Sequence, residues 1–225
     1  MAEARGFLGV SSVNPANRVI ARDGAHEIEI QRSRFLCSLA RVGDEESAAA
    51  FIAGIRKQHW SATHNCSAFR VGPDGAIARS SDDGEPAGTA GVPMLEVLAR
   101  RGLTDTVAVV TRYFGGTKLG AGGLVRAYGR AVAEAIDAVG TLRRARFAVL
   151  EIAVGYAEAG RLEHMLRAAG HRIASIDYGG QARFTVHVPL TGADGTAQFD
   201  AWLAEQTGGA AAAVPAGTVD LDVPD

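Results

Sequence analysis

The stretch Val109–Tyr128, VVTRYFGGTKLGAGGLVRAY, narrows the structural options of this chain more than any other. A β-type run ends in an arginine and two aromatics. Five glycines and one lysine then fall within Gly115–Gly123, and a helical pattern follows. Glycine gives up backbone entropy and contributes no packing, so this density marks positive φ angles or a close approach of another group to the main chain. Amides displayed at a helix start favour a negatively charged group. Arg112, Lys118 and Arg126 bracket the loop, while Gly115, Gly116, Gly120, Gly122 and Gly123 supply its bare backbone. The simplest partner is an anion, with phosphate first among candidates. A tight strand-to-helix turn that brings backbones together is the competing reading of the same glycines.

The loop fails two common nucleotide fingerprints. Gly115 and Gly120 have the gap of a P-loop, but Ala121-Gly122 stands where Lys-Ser/Thr is required; Gly120-Ala121-Gly122 opens as GxG, but Val125 occupies the third glycine position. Nucleotide hydrolysis and NAD binding therefore gain no support. Electrostatics lean toward an anion. Arg126 falls near the first helical turn, with Lys118 ahead of it and Arg130 one turn on, and a cation at that end costs about 0.3–1 kcal/mol. Arg126 and Arg130 repel mildly at i,i+4, although Glu134 relieves Arg130. A negatively charged ligand would compensate this arrangement.

The pattern along the chain predicts two α+β domains after a tail at 1–17 that lacks periodicity. The first spans 18–142. Strands are expected near 18–22, 26–31 and 34–42, then a helix capped by Asp44 with Phe51, Ile52 and Ile55 on its buried stripe. His64–Val71 and Ala76–Ser80 read as a hairpin turned at Pro73-Asp74-Gly75. A helix carrying Met94, Leu95 and Leu98 precedes the central strand Thr106–Phe114. The helix after the glycine loop buries Leu124, Tyr128, Val132 and Ile136 and ends at Gly140. The second domain, 146–225, reads β-α-β-β-α-β, the order of a ferredoxin-like sandwich, with the boundary near Arg143-Arg144.

Two further motifs bear on chemistry. Asp82, Asp83 and Glu85 lie in a turn-rich loop, Ser80–Gly91, before a helix. Three carboxylates are suited to a divalent cation or to general acid–base work. They equally serve as a helix cap and as partners for Arg112 or Lys118, and the pairing that orders the glycine loop is the preferred reading. In His64-Asn65-Cys66 the outer residues share a strand face, which permits a His–Cys nucleophile pair, but no oxyanion or triad motif accompanies it. His64, Asn65 and Arg70 with the loop carboxylates are instead expected to line a polar face beside the basic loop. Trp60, Tyr113 and Phe114 are candidates for base stacking or for core packing.

Composition sets the outer bounds. The net charge of −2 gives no general affinity for nucleic acid, but residues 1–145 carry 18 Lys and Arg against 15 Asp and Glu, whereas residues 146–225 carry 5 against 10. Attraction for phosphate belongs to the first part. Cys37 and Cys66 have no CxxC spacing, which argues against a disulfide scaffold or a structural zinc and fits a reducing compartment. Neither a secretory signal nor a membrane-length apolar run is apparent, so a cytoplasmic location is expected. Neither cofactor nor metal is expected.

With these residues in view, the chain resembles the IMPACT family, in its bacterial two-domain YigZ type. The matching runs are SRFL at Ser33–Leu36, HNCSAFR at His64–Arg70, DDGEPAGTAGVPML at Asp82–Leu95, and the Val109–Tyr128 stretch. The resemblance implies a first domain like the second domain of ribosomal protein S5, and a ferredoxin-like second domain similar to the last domain of elongation factor G. It also implies a role linked to translation through RNA or the ribosome, without an assigned reaction. Eukaryotic relatives act in the amino-acid-starvation kinase pathway with an extra N-terminal domain; none is expected here, so that partner is not carried over. The rival expectation is an enzyme acting on a phosphorylated small molecule or nucleotide, with a metal at the acidic loop. A third is a module that grips a protein partner through the C-terminal domain.

Overall fold

The computed structural model describes residues 17–190 and 195–224; the expected tail, apart from residue 17, lies outside the described residues. The chain divides into two compact units between Arg143 and Arg144, with Pro224 grouped with the first.

The first unit is built on a five-stranded antiparallel sheet. In chain order its strands are β2 (Gly24–Ile30), β3 (Ser33–Arg41), β4 (His64–Val71), β5 (Ile77–Ser81) and β6 (Thr106–Tyr113), arranged β2-β3-β6-β4-β5. A short β1 (Arg18–Ile20) pairs with residues 141–143. The period-2 rule sorts the side chains of these strands. Phe35, Cys37, Leu39, Cys66, Ala68, Ala108 and Val110 face α2 (Gly91–Arg100) and α3 (Gly120–Val139), where Met94, Leu98, Tyr128, Val132 and Ile136 complete the larger core. Ala40, Phe69, Val71, Val107 and Val109 face the other way, onto Ala48, Phe51, Ile52 and Ile55 of α1 (Glu45–Gln58). Both faces of β6 are covered, which accounts for its nearly unbroken apolar run.

Local chemistry fixes the ends of these elements. Asp44 and Ser47 cap α1 reciprocally, with Ser47 N donating to Asp44 Oδ1 at 2.7 Å and Asp44 N donating to Ser47 Oγ at 3.2 Å. The β2–β3 hairpin turns on Gln31 and Arg32, both left-handed at φ 48° and 66°. Neither is a glycine or asparagine, so the residues usual for such a turn are absent from the sequence.

That turn explains Gly115. A Cβ there would lie 2.0 Å from the carbonyl carbon and oxygen of Arg32, so only glycine lets the strand exit pass beneath the hairpin. Gly115 N donates to Ser33 Oγ at 3.1 Å, and Arg32 reaches Thr117 Oγ1 at 3.0 Å.

The second unit follows the expected β-α-β-β-α-β order. After β7 (Thr141–Val154) come α4 (Tyr156–Ala168), β8 (Arg172–Tyr178), β9 (Ala182–Pro189), α5 (Ala197–Thr207) and β10 (Ala213–Val223). The strand order is β10-β7-β9-β8, with β9 antiparallel to both β7 and β8, the ferredoxin-like arrangement. Leu150, Ile152, Phe184 and Val186 pack under Leu162, Leu166, Phe199 and Leu203. The first strand of this order begins at Thr141, ahead of the expected domain start at 146, and Arg143-Arg144, where the two units divide, lie within it. Pairing of 141–143 with β1 supplies the hydrogen bonds that a sequence pattern cannot display.

Gly115→Ala is expected to lower unfolding stability by about 1–3 kcal/mol through overpacking against Arg32. Gly122→Ala, whose Cβ would meet only the Arg126 guanidinium at 3.6 Å, is expected to be neutral or stabilising by up to about 1 kcal/mol. Urea denaturation of the two variants beside the native chain measures the contrast.

Candidate anion-binding site

β-Sheet register places the first two functional side chains. His64 of β4 lies directly opposite Arg112 of β6, and Phe35 of β3 lies opposite Arg112 on its other side. By strand parity His64 and Arg112 share the face that looks toward α2 and α3, and Asn65 and Thr111 share the face toward α1. The acidic loop then closes over this end of the sheet. Glu85 Oε1 accepts from Arg112 Nη1 at 2.5 Å and from Tyr128 Oη of α3 at 2.8 Å. Arg112 and Glu85 are only 5% and 8% exposed, so the pair is an internal one. Burial raises the Tyr128 hydroxyl's pKa first, with the neighbouring Cys66 and Glu85 adding to it, which keeps Tyr128 a proton donor to the carboxylate.

The three loop carboxylates have separate tasks. Asp82 takes the amides of Gly88, Ala90 and Gly91 at 2.8, 3.0 and 2.8 Å, capping α2 from a distance. Burial alone would raise its carboxyl, but the three donated hydrogen bonds outweigh that and hold it below the usual range. Asp83 accepts from Asn65 N at 2.7 Å and from Arg56 Nη2 at 3.1 Å. Its carbonyl oxygen receives the His64 Nδ1–H at 2.8 Å. A carbonyl only accepts, so neutral His64 carries its proton on Nδ1 and directs the lone pair of Nε2 elsewhere. Nε2 lies 3.9 Å from Glu85 Oε1. Among the described residues no group of three or more His, Cys, Asp or Glu is arranged to hold a metal ion. The carboxylates are engaged by backbone amides and ion pairs, Asp82 at the start of α2, Asp83 with Arg56 and Glu85 with Arg112.

Beside this cluster a cleft of about 440 Å³ is lined by His64, Glu85, Arg112, Phe114, Lys118 and the first residues of α3, among others. Lys118 is exposed and forms no ion pair among the described residues. The start of α3 has no side-chain cap. Helix geometry leaves the amides of Leu119–Gly122 without intrahelical acceptors, and among the described residues no hydrogen bond outside the helices and strands engages the amides of 116–119. Gly116 and Gly120 hold φ of 85° and 71°, which turn this stretch of backbone into the helix. The Arg112 Nε–H is buried and has no partner. Leaving such a group unsatisfied costs about 1–3 kcal/mol. The Arg112 guanidinium carbon is 5.4 Å from the Phe35 ring centroid and 5.5 Å from that of Phe114, which is 48% exposed.

The structure thus brings Arg112, Lys118 and Gly120 together with His64 and Glu85. Other residues singled out from sequence lie elsewhere. Arg126 is exposed and does not line the cleft; its guanidinium folds back over Gly122. Gly123 packs beneath Leu119, where a Cβ would lie 2.9 Å from the Leu119 Cβ. Asn65 faces α1, accepting from Thr111 Oγ1 at 2.7 Å. Arg70 is correctly placed on the His64 face but lies six residues along β4, where it donates to the carbonyls of Leu103 and Asp74. It holds a loop and is no part of the polar face.

Cys66 also leaves the chemistry. Burial pushes its thiol up to about 12, and it donates to the Asp82 carbonyl at 2.9 Å. Trp60 is 84% exposed and not core, while Tyr113 is tied to His59 Nδ1 at 2.9 Å. The residue that sequence reasoning placed only in the core is Tyr128. A tyrosine on an apolar stripe signals a buried hydroxyl in need of a partner, and that partner is Glu85. Glu85→Ala leaves a buried guanidinium and a buried hydroxyl unpaired, and is expected to destabilise the protein by about 3–5 kcal/mol in a denaturant titration.

Comparison with known proteins follows from this geometry. Residues 31–136 match the Impact N-terminal domain, and residues 152–210 match a domain of unknown function, DUF1949. The chain is 48% identical over 186 residues to the Bacillus subtilis IMPACT family member YvyE, covering 83% of this chain and 84% of that protein. It is 40% identical over 179 residues to the Escherichia coli IMPACT family member YigZ, covering 79% and 86%. A crystal structure described as that of a hypothetical protein aligns with a TM-score of 0.54 and 35% identity, over 88% of this chain and 96% of that one. Among the described residues no helix is long and apolar enough to cross a membrane. With more than four-fifths of each chain aligned in the first of these matches, the protein belongs to the IMPACT family.

Proposed function

We propose that this protein is an RNA- or ribosome-binding factor linked to translation, and that it holds a phosphate group of its partner in the cleft at the start of α3. The observation that carries this reading is the convergence of an uncapped helix N-terminus, an unpaired Lys118 and the Arg112 guanidinium on one cavity. Each supplies N–H donors or positive charge, and among the described residues none is paired with an anion besides Glu85, which Arg112 and Tyr128 already bind. Unengaged amides at a helix start attract an oxyanion, and the neighbouring positive charges add to that attraction. Arg126, one turn further along the exposed side of α3, adds a positive charge for a neighbouring phosphate. The link to translation is what the resemblance of the sequence to the IMPACT family implies.

Binding of a short single-stranded RNA, followed by fluorescence anisotropy from low to moderate salt, tests this. Affinity should fall with salt, and Lys118→Ala should weaken binding and reduce the magnitude of the log–log salt slope by about 1. An affinity indifferent to both salt and the substitution contradicts the proposal.

A further inference from the structure

Resting on the phosphate-site reading above, we infer that the cleft is shaped for the terminal phosphate monoester of a single-stranded RNA and not for an internal phosphodiester. The first reason is the directions from which donors arrive. Lys118 comes from the loop, the amides of Gly120 and Ala121 from the helix start, and Arg112 from the sheet. A terminal monoester presents three non-bridging oxygens to such a set, and an internal diester presents two.

The second reason is depth. Arg112 and Glu85 are both more than nine-tenths buried, and the Arg112 Nε–H lacks any acceptor. A diester carries a nucleotide on each side and cannot enter end-on, whereas a chain end can. The cavity, about 440 Å³, lies in the range that accepts a single small ligand.

The third reason is His64. Its Nδ1–H is committed to the Asp83 carbonyl, so in the tautomer that this bond selects Nε2 is an acceptor on the cleft wall. A monoester, with a second pKa near 6, carries a P–OH proton in part of its population. A diester has no such proton to donate.

Phe114 completes the site. Its ring stacks on the Arg112 guanidinium and is 48% exposed at the same cleft. The exposed part of that ring offers an aromatic face to the terminal base. The ligand that combines these features is a phosphorylated nucleotide at the end of a flexible strand.

The test uses the full chain and three versions of one short RNA: 5′-phosphorylated, 3′-phosphorylated and without a terminal phosphate. UMP and inorganic phosphate serve as competitors. One phosphorylated end should bind about tenfold tighter or more than the unphosphorylated strand, and UMP should compete. Phe114→Ala and His64→Gln, both at partly exposed positions, should each shrink that preference while thermal unfolding stays close to that of the native protein. Equal affinity for all three strands, with salt dependence retained, overturns the end-recognition inference and leaves the RNA reading intact. Binding of UMP without binding of any RNA overturns the RNA reading, and the RNA end with it.

Discussion

The buried pair of Arg112 and Glu85 joins three segments that are far apart in sequence. Arg112 belongs to the central strand, Glu85 to the acidic loop, and Tyr128, which donates to the same carboxylate oxygen, to α3. Taking two charges out of water is costly, and the cost is offset only when geometry is good and further donors satisfy the carboxylate. Tyr128 provides one such donor. The pair therefore fixes where the acidic loop lies and, through α3, where the glycine loop must run. The cleft is what remains between these tethered parts.

Four of the five glycines of that loop divide into two kinds once the structure is seen, and Gly122 is neither. Gly115 and Gly123 permit close packing, against Arg32 and Leu119 respectively. Gly116 and Gly120 have positive φ, with open space where a Cβ would stand. They bend the chain so that the amides entering α3 are left unengaged. Sequence composition announced both meanings without separating them, because a glycine needed for contact and one needed for conformation look the same. The tight turn belongs to one set of these residues, and the proposed anion site to their neighbours in the same loop.

Much of the architecture was legible from periodicity. The buried stripes of α1, α2 and α3, the Pro73–Gly75 turn and the β-α-β-β-α-β order of the second unit all follow from patterns of apolar residues and turn formers. The Gln31-Arg32 turn was not legible, because left-handed φ occurs there at residues that seldom adopt it. The early start of β7 was hidden for a different reason: pairing with β1 is a long-range event. Lys118, Arg112, His64 and Glu85, singled out from charge and position along the chain, line one cleft. Arg70 misled because residues six apart on a strand share a face yet stand about 20 Å from one another. Arg126 misled because helical rotation carries it away from the face that bears Leu124 and Tyr128.

The central claim is that the amides at the start of α3 receive a phosphate. An NMR titration of the ¹⁵N-labelled protein with UMP reads those amides one by one. Saturable shifts concentrated on Gly116 to Gly122 and on the Arg112 Nε–H are the predicted result. Shifts scattered over the surface, or centred on the second unit while those resonances stay fixed, would contradict it.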